Sequence, residues 1–456
     1  MVKTLDNFKN VYFIGIGGIG MSALARYFKM KNLRVAGYDK TPSPLTDELI
    51  KEGIEVHFED LGNLIPSPYS SVDETLVVYT PAIPVSMGEY NFFINNNFEI
   101  LKRAAVLGLI TRSSKGLGVA GTHGKTTTST MLTHILTESH LKCNAFLGGI
   151  SSNFNSNFVS STTSEYTVIE ADEFDRSFLQ LTPFASIITS TDADHLDIYG
   201  DVATFEKGFQ DYANQINPDG FLILRKGINI QSPAKVQTYA IDEDADFKGG
   251  NLRTIDGHFY MDLKTDNFTW NEIELGLPGI HNAENALACI ALCLSLGLSE
   301  SEIRHGLASF RGVKRRFEFH IRTPKLIYID DYAHHPTEIK ALVSSVRLLY
   351  PNQKITGIFQ PHLYSRTRDF MANFAHELSQ VDELILMPIY PAREEPMTGI
   401  TSEALLEMCE ITDKKVLSPE EVINHLIDQQ SGVFLTIGAG DIDRIVPKIK
   451  STLLKN

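Results

Sequence analysis

The stretch Gly121-Thr-His-Gly-Lys-Thr-Thr127 constrains the fold of this chain more than any other. It follows the apolar run Gly116 to Ala120 and precedes a helical pattern through Glu138, so a strand enters a glycine loop and a helix leaves it. Backbone N–H groups in such a loop, with the positive end of the helix behind them, can cradle phosphate oxygens. Gly121, Thr122, His123, Gly124, Lys125, Thr126 and Thr127 therefore read as an ATP-binding loop. Lys125 would reach the terminal phosphates, and the Thr126 hydroxyl would be offered to Mg2+. The usual spacing asks for glycine at position 119, where this chain has Val119, so the loop is a variant.

A second glycine turn lies near the start. Val11 to Ile14 leads into Gly15, Gly17, Gly18 and Gly20, a helix follows from Met21 to Lys31, and Arg34 to Tyr38 ends at Asp39. This is a strand-turn-helix-strand opening with a GxGxxG spacing and an acidic residue about twenty positions on, the pattern of a dinucleotide-binding unit. Alone it would suggest a nicotinamide oxidoreductase. A simple dehydrogenase has no use for a second, lysine-bearing phosphate loop, so each loop is assigned its own nucleotide.

Strands alternate with helices along the rest of the chain, which indicates mostly parallel sheets. Buried strands are expected at Tyr166 to Glu170 and Ala185 to Ser190, a helix at Asn282 to Leu296, and Ser151 to Ser164 as one polar loop. Past Gly312 the pattern restarts, with strands at Leu326 to Ile329, Ile355 to Phe359, Leu384 to Met387 and Val433 to Ile437. The expected fold is α/β in three domains, bounded near residues 110 and 312: a Rossmann-like domain over 1–110, a phosphate-loop domain over 111–312, and a second Rossmann-like domain over 313–456. The net charge of −15, from 41 basic and 56 acidic residues, disfavours a nucleic-acid partner. No run of about 18 apolar residues offers a membrane span. The first ten residues lack the features of a secretory signal, and Cys143, Cys289, Cys293 and Cys409 form no CxxC pair, so a reducing cytoplasm is expected.

Three further clusters carry chemistry. Val168-Ile169 delivers Glu170-Ala-Asp-Glu173 at a strand end, and a second strand ends near Thr191-Asp-Ala-Asp-His195; hard oxygens with one imidazole suit Mg2+ bound largely through phosphates. Gly279-Ile-His-Asn-Ala-Glu-Asn285 precedes a helix, where Asn282 and Asn285 would either cap it or meet a purine edge. Asp330 to Glu338 and Gln360 to Arg368 each follow a strand and hold polar groups too costly to bury unsatisfied. Arg366 is the natural partner for a carboxylate, because its planar fork pairs bidentately.

Taken in order, Gly-Ile-Gly-Gly-Ile-Gly-Met-Ser22, Gly-Thr-His-Gly-Lys-Thr-Thr127, Glu-Ala-Asp-Glu173, Gly-Ile-His-Asn-Ala-Glu-Asn285, Gly-Val-Lys-Arg-Arg-Phe317, Asp-Asp-Tyr-Ala-His-His-Pro-Thr-Glu338, Gln-Pro-His-Leu-Tyr-Ser-Arg366 and Tyr-Pro-Ala-Arg-Glu-Glu-Pro396 resemble the Mur ligase family over nearly the whole chain. The alanine-adding branch is the nearest match. The resemblance implies ATP and Mg2+ as cofactors and a reaction in which ATP phosphorylates a carboxylate and an amine attacks the acyl phosphate. The substrates would be UDP-N-acetylmuramate and L-alanine, in the cytoplasmic synthesis of peptidoglycan for cell-wall growth, cell shape and division, by a monomer or homodimer.

The resemblance also distributes roles. Gly15, Gly17, Gly18, Gly20, Met21, Ser22 and Asp39 would hold the UDP sugar, with Thr80, Ala82 and Ile83 as a second contact, Thr-Pro replacing the family's frequent Ser-Ser. Lys125, Glu170, His195 and Arg366 would be catalytic, and Thr126, Glu170 and His195 would hold the metal. His281, Asn282 and Asn285 would surround adenine, Asp331 the ATP ribose, and either Arg315 or Arg316 would approach the phosphates, Arg316 being carried as the candidate. Tyr332, His334, His362 and Arg366 would surround the incoming alanine and the substrate carboxylate. Several relatives carry a carbamylated lysine near the position of Phe209, with Lys207 two residues away; the alanine-adding branch resembles this chain in lacking it. The rival readings are a ligase that adds a preformed tripeptide, a nicotinamide oxidoreductase, and a non-catalytic nucleotide-binding regulator.

Overall fold

Val11, Phe13 and Ile14 on one short strand are fully buried, and so are their neighbours Leu76, Val77 and Val78 on the next strand but two. Such unbroken apolar runs suit strands covered on both faces, and they organise each of three sheets. The computed structural model describes residues 5–80, 83–84, 86–192, 199–255, 258–392 and 394–455; the candidate residues Ala82 and His195 lie outside the described residues.

The first sheet contains β1 (Asn10–Ile14), β2 (Arg34–Tyr38), β3 (Glu55–His57), β4 (Thr75–Tyr79) and β5 (Glu99–Lys102), in the order β3-β2-β1-β4-β5. Every pairing in it is parallel. The order reverses at β1, so a crevice opens beyond its carboxyl end, where the Gly15 turn lies.

The second sheet holds β6 (Lys115–Ala120), β7 (Asn144–Ser151), β8 (Ser156–Val159), β9 (Tyr166–Glu170), β10 (Ala185–Ile188), β11 (Phe221–Arg225), β12 (Lys235–Ile241), β13 (Phe247–Ile255), β14 (His258–Lys264) and β15 (Thr269–Leu275). Their order is β15-β14-β13-β12-β11-β10-β6-β9-β7-β8. β6 runs parallel between β9 and β10, which puts a second reversal point at the strand that feeds the phosphate loop.

The third sheet has β16 (Glu318–Arg322), β17 (Leu326–Asp331), β18 (Ile355–Phe359), β19 (Glu383–Leu386), β20 (Lys414–Val416) and β21 (Gly432–Ile437), ordered β16-β17-β21-β18-β19-β20. Only the edge strand β16 pairs antiparallel; the rest are parallel.

By contacts the chain divides into two compact units, one of Met1–Asn251, Met261–Glu274 and Glu284–Phe310, the other of Leu252–Tyr260, Leu275–Ala283 and Arg311–Asn456. The first two sheets share a unit because one apolar cluster runs from Phe13 and Phe28 through Phe146 to Phe205 and Leu222. In the second unit, two clusters line the third sheet, one around Ile329 and Phe359 and the other around Tyr328 and Phe434.

Two departures from the sequence expectation have a physical cause. Ser151 to Ser164 is not one loop: it contains β8, paired antiparallel with β7. Asn157 is buried for a reason, since it donates to the Ile19 carbonyl and the Ser22 hydroxyl and accepts from Arg26, while Phe158 packs on Tyr27 and Phe146. Strands β12 to β15 were also not anticipated, because they mix buried and exposed residues without the long apolar runs that mark the inner strands.

Candidate active site

The phosphate loop is shaped by two glycines in the left-handed region. At Gly121 (φ +137°) a Cβ would stand 2.1 Å from the Thr189 hydroxyl, and at Gly124 (φ +81°) it would stand 2.7 Å from the Asn285 carbonyl oxygen. Any side chain there would push the loop off its supports. The loop is tied to the end of β10: Thr122 N–H donates to the Ser190 carbonyl (3.2 Å) and His123 N–H to the Ser190 hydroxyl (2.9 Å). Thr122 Oγ1 donates to the Asp192 carbonyl at 2.7 Å, and the exposed His123 ring lies 3.5 Å from the Asp192 carboxylate. Val119, in place of the usual glycine, is an interior residue of β6 paired with Glu170, so no turn is needed there. The helix Lys125–Glu138 begins at the loop, and half-buried Thr127 lies in its first turn.

Lys125 Nζ donates to the Gly121 carbonyl at 2.7 Å and lies 2.7 Å from both carboxylate oxygens of Glu173. Glu173 is 1% exposed. Burial pushes its carboxyl above the ordinary range and Lys125 opposes that rise. The sequence reading placed Glu173 in the acidic cluster without a role; its pairing with the loop lysine is the functional relation that spacing alone did not reveal. Beyond it the backbone takes two consecutive left-handed non-glycine residues, Asp175 (φ +50°) and Arg176 (φ +54°), a strain typical of functional sites.

Thr126 Oγ1 donates to Glu170 Oε1 at 3.0 Å, and Gly148 N–H donates to Glu170 Oε2 at 3.2 Å. A Cβ at Gly148 would be 2.3 Å from Glu170 Oε2, so the carboxylate fills a cradle that only glycine leaves open. A hydroxyl and a carboxylate side by side at a phosphate loop are hard donors that fit Mg2+. Glu318, His320 and Asp330 also bring donor atoms within 4.8 Å of one another, but Arg315 Nε, 3.2 Å from Asp330, already supplies the positive charge there. At the position compared above with a carbamylated lysine, Phe209 is fully buried, edge-on to Phe178 and Phe205, while Lys207 is exposed and pairs with Asp211.

At the other loop, Gly15 N–H and Ile16 N–H donate to the Tyr38 carbonyl (2.8 and 2.9 Å), and Gly17 N–H donates to Asp39 Oδ2 (2.7 Å). Glycine is required at Gly15 (φ +89°), where a Cβ would meet Thr80 Cγ2 at 2.5 Å, and a Cβ at Gly20 would displace the Arg103 guanidinium, 2.6 Å away. Thr80 and Ile83 therefore lie against the turn, and Gly18 caps the helix Ile19–Met30. Met21 and Ser22 differ from expectation: both are buried, and their N–H groups bond to the Gly18 carbonyl. The Ser22 hydroxyl donates to the Ile19 carbonyl and accepts from Asn157.

In the second unit, Asp331 ends β17 and is held by the N–H groups of Phe317 (2.7 Å) and Ala333 (2.8 Å); burial raises its carboxyl to about 6. Arg315 is fixed by Asp330 and by the Gly438 carbonyl at 2.6 Å. Arg316 lies over the Tyr332 ring, 5.6 Å from its centroid, and its charge opposes the rise of the buried Asp331 carboxyl. The His334 and His362 rings are 6.2 Å apart, and His362 stacks on Tyr390 at 5.7 Å. Leu363 takes φ +70°, and Ser365 is bonded to Glu394, so the segment carrying His362 and Arg366 is set rigidly after β18. Of the adenine candidates, Asn285 stands against Gly124 in the first unit, whereas Asn282, whose amide donates to the Pro278 carbonyl at 2.7 Å, and the exposed His281 group with the second.

A phosphate loop with an adjoining hydroxyl-carboxylate pair, a second glycine turn at another sheet's reversal point, and a third sheet edged by histidines and arginine define a multidomain nucleotide-using α/β enzyme. Residues 10–115 match the Mur ligase family catalytic domain, residues 119–293 the Mur ligase middle domain, and residues 315–440 the Mur ligase glutamate ligase domain. The chain belongs to the Mur ligase family. It is 51% identical to the UDP-N-acetylmuramate--L-alanine ligase of Parabacteroides distasonis over 98% of this chain and 97% of that protein. It is 50% identical to the enzyme of the same name from Flavobacterium johnsoniae over 99% of both chains. The crystal structure of the UDP-N-acetylmuramate-alanine ligase of Thermotoga maritima superposes with a TM-score of 0.82 at 27% identity, covering 98% of both chains. A murein peptide ligase from Psychrobacter arcticus shares the fold, with a TM-score of 0.67 at 21% identity over 98% of both chains.

Proposed function

We propose that this chain joins the amino group of L-alanine to the lactyl carboxylate of UDP-N-acetylmuramate, cleaving ATP to ADP and phosphate, in the synthesis of peptidoglycan precursors. The observation that carries the reading is end-to-end identity of about half to relatives that bear this activity in their names, with both chains covered almost completely. ATP occupies the Gly121 to Thr127 loop, with Asn282, Asn285 and His281 at its base, Asp331 at its ribose and Arg316 at its phosphates. UDP occupies the turn of Gly15, Gly17, Gly18 and Gly20 with Asp39, Thr80 and Ile83. Tyr332, His334, His362 and Arg366 receive the alanine. The domains that do this are residues 1–110, 111–312 and 313–456.

Lys125 leaves Glu173 for the γ-phosphate and draws charge off it as the lactyl carboxylate attacks in line. Thr126 and Glu170, with His195, hold Mg2+, which when bound neutralises phosphate charge. Arg366 pairs with a carboxylate, and the amine attacks the acyl phosphate away from water. The protein works in the cytoplasm as a monomer or homodimer; no helix among the described residues is long and apolar enough to cross a membrane.

The test is phosphate release from ATP and Mg2+ with UDP-N-acetylmuramate, comparing L-alanine, the tripeptide and no amine, with Lys125→Ala as control. Release with alanine, abolished in the variant, supports the reading. Release with the tripeptide alone moves the chain to the tripeptide-adding branch, and no release with any amine leaves a nucleotide-binding protein.

A further inference from the structure

Alanine arrives as an ammonium, whose nitrogen has no lone pair, so a base must take one proton before it can attack a carbonyl carbon. The second unit offers two imidazoles beside Arg366, and they are held in different ways.

His334 Nδ1 lies 2.9 Å from the Tyr332 carbonyl oxygen and 3.4 Å from the Glu338 carboxylate. A carbonyl can only accept, so Nδ1 carries the proton and Nε2 keeps the lone pair. Glu338 is fixed in turn by the N–H groups of His334 (2.9 Å) and His335 (3.2 Å) at the start of the helix Pro336–Leu349. Burial alone would raise the Glu338 carboxyl, but His334 and these N–H groups hold it below its ordinary value, so it stays ionised. The Tyr332 carbonyl fixes the tautomer, and the ionised Glu338 carboxylate 3.4 Å from Nδ1 stabilises the imidazolium once formed, the support an activated base needs. His362 lacks that support. Its Nδ1 is buried with no partner among the described residues, and burial, Arg366 and His334 push its pKa down to about 4, too low to retain a proton taken from an ammonium.

We infer that His334, oriented by the Tyr332 carbonyl and backed by Glu338 as a positioning residue, is the general base that deprotonates the incoming amino acid; this rests on the ligase reading above. His334 Nε2 takes one ammonium proton. The freed nitrogen lone pair forms the C–N bond to the acyl carbon, and the C–O bond to phosphate breaks with its electron pair remaining on the phosphate oxygen. The second proton leaves the nitrogen for the departing phosphate, so amide, hydrogen phosphate and imidazolium balance ammonium, acyl phosphate and imidazole. The groups facing His334 are Glu338 from its own segment, Tyr332 before it, Arg316 from the stretch preceding β16, and Arg366 and His362 from the segment after β18. Burial and the two arginines hold the ring below its usual pKa against the pull of Glu338, so it is neutral and able to accept at pH 7.

The experiment uses the full chain and the variants His334→Asn, Glu338→Gln and His362→Asn. Acyl-phosphate formation is followed without amine, by positional isotope exchange in ATP with UDP-N-acetylmuramate. Product formation is then followed with alanine and with hydroxylamine, whose nitrogen is already neutral at pH 7. In His334→Asn, exchange persists, the alanine rate at pH 7.5 falls about 100-fold or more and recovers roughly tenfold per pH unit toward alkaline pH, and the hydroxylamine rate changes only a few-fold. In Glu338→Gln, the apparent pKa of the alanine kcat profile shifts while KM for alanine holds. Equal losses with alanine and hydroxylamine, an unchanged alanine rate, or this signature in His362→Asn instead would overturn the assignment. No exchange in the wild type would overturn the ligase reading, and this inference with it.

Discussion

Replacing Lys125 removes the cation proposed to act on ATP and also strands a buried anion, and the two effects can be separated. Glu173 is 1% exposed, and both its oxygens are within 2.7 Å of Lys125 Nζ. Deleting one member of such a pair costs about 3–5 kcal/mol, because the remaining charge is buried without compensation. Burial already raises the Glu173 carboxyl and only Lys125 draws it back strongly, so in Lys125→Ala its folded pKa climbs further above the unfolded value. A carboxyl raised in the folded state stabilises below its unfolded pKa, about 4.3, and that stabilisation is lost as pH rises through the folded pKa. The deficit of Lys125→Ala relative to wild type is therefore small at pH 4.5 and full at pH 8. The double variant Lys125→Met, Glu173→Gln removes both charges at similar volume and recovers most of the stability while remaining inactive. The one tryptophan, Trp270, packs on Phe268 and Arg304 in the same unit, so its fluorescence during urea unfolding of the nucleotide-free protein reads the change. A deficit independent of pH, or a double variant less stable than the single, would refute the reasoning.

Gly148→Ala puts a Cβ 2.3 Å from Glu170 Oε2 and turns the carboxylate away from Thr126; the Mg2+ concentration for half-maximal phosphate release should rise about tenfold, or ~1.4 kcal/mol, with little change in melting. Asp331→Asn removes a carboxyl raised to about 6 by burial. Because that raised pKa costs the wild type stability as pH climbs from about 4 through about 6, the variant's stability relative to wild type should increase by up to about 3 kcal/mol between pH 4 and pH 8, while KM for ATP rises; a flat difference in paired denaturation curves would count against it. Arg366→Lys keeps the charge but loses the fork, so KM for alanine should increase about tenfold or more in initial-rate assays, and an unchanged KM would exclude carboxylate pairing.

The two glycine loops were legible because their spacing is a backbone requirement: Gly15, Gly121 and Gly124 sit at positive φ against neighbouring side chains, and no other residue fits. The inner strands were legible from apolar runs such as Val168-Ile169 and Leu384 to Leu386. The motif names Met21 and Ser22 without saying which way the helix turns them; the Ser22 hydroxyl is drawn inward by Asn157 of β8, which sequence had treated as loop. Glu173 was seen as part of an acidic cluster, yet its pairing with Lys125, 48 positions earlier, arises only when β6 and β9 lie side by side. That the Gly438 carbonyl and Asp330 hold Arg315 was likewise not in the sequence, since one partner lies just past β21 and the other on β17.

Phe209 is fully buried, with its ring edge-on to Phe178 and Phe205. An aromatic wall offers no amine, so dissolved carbon dioxide has no nitrogen there on which to form a carbamate.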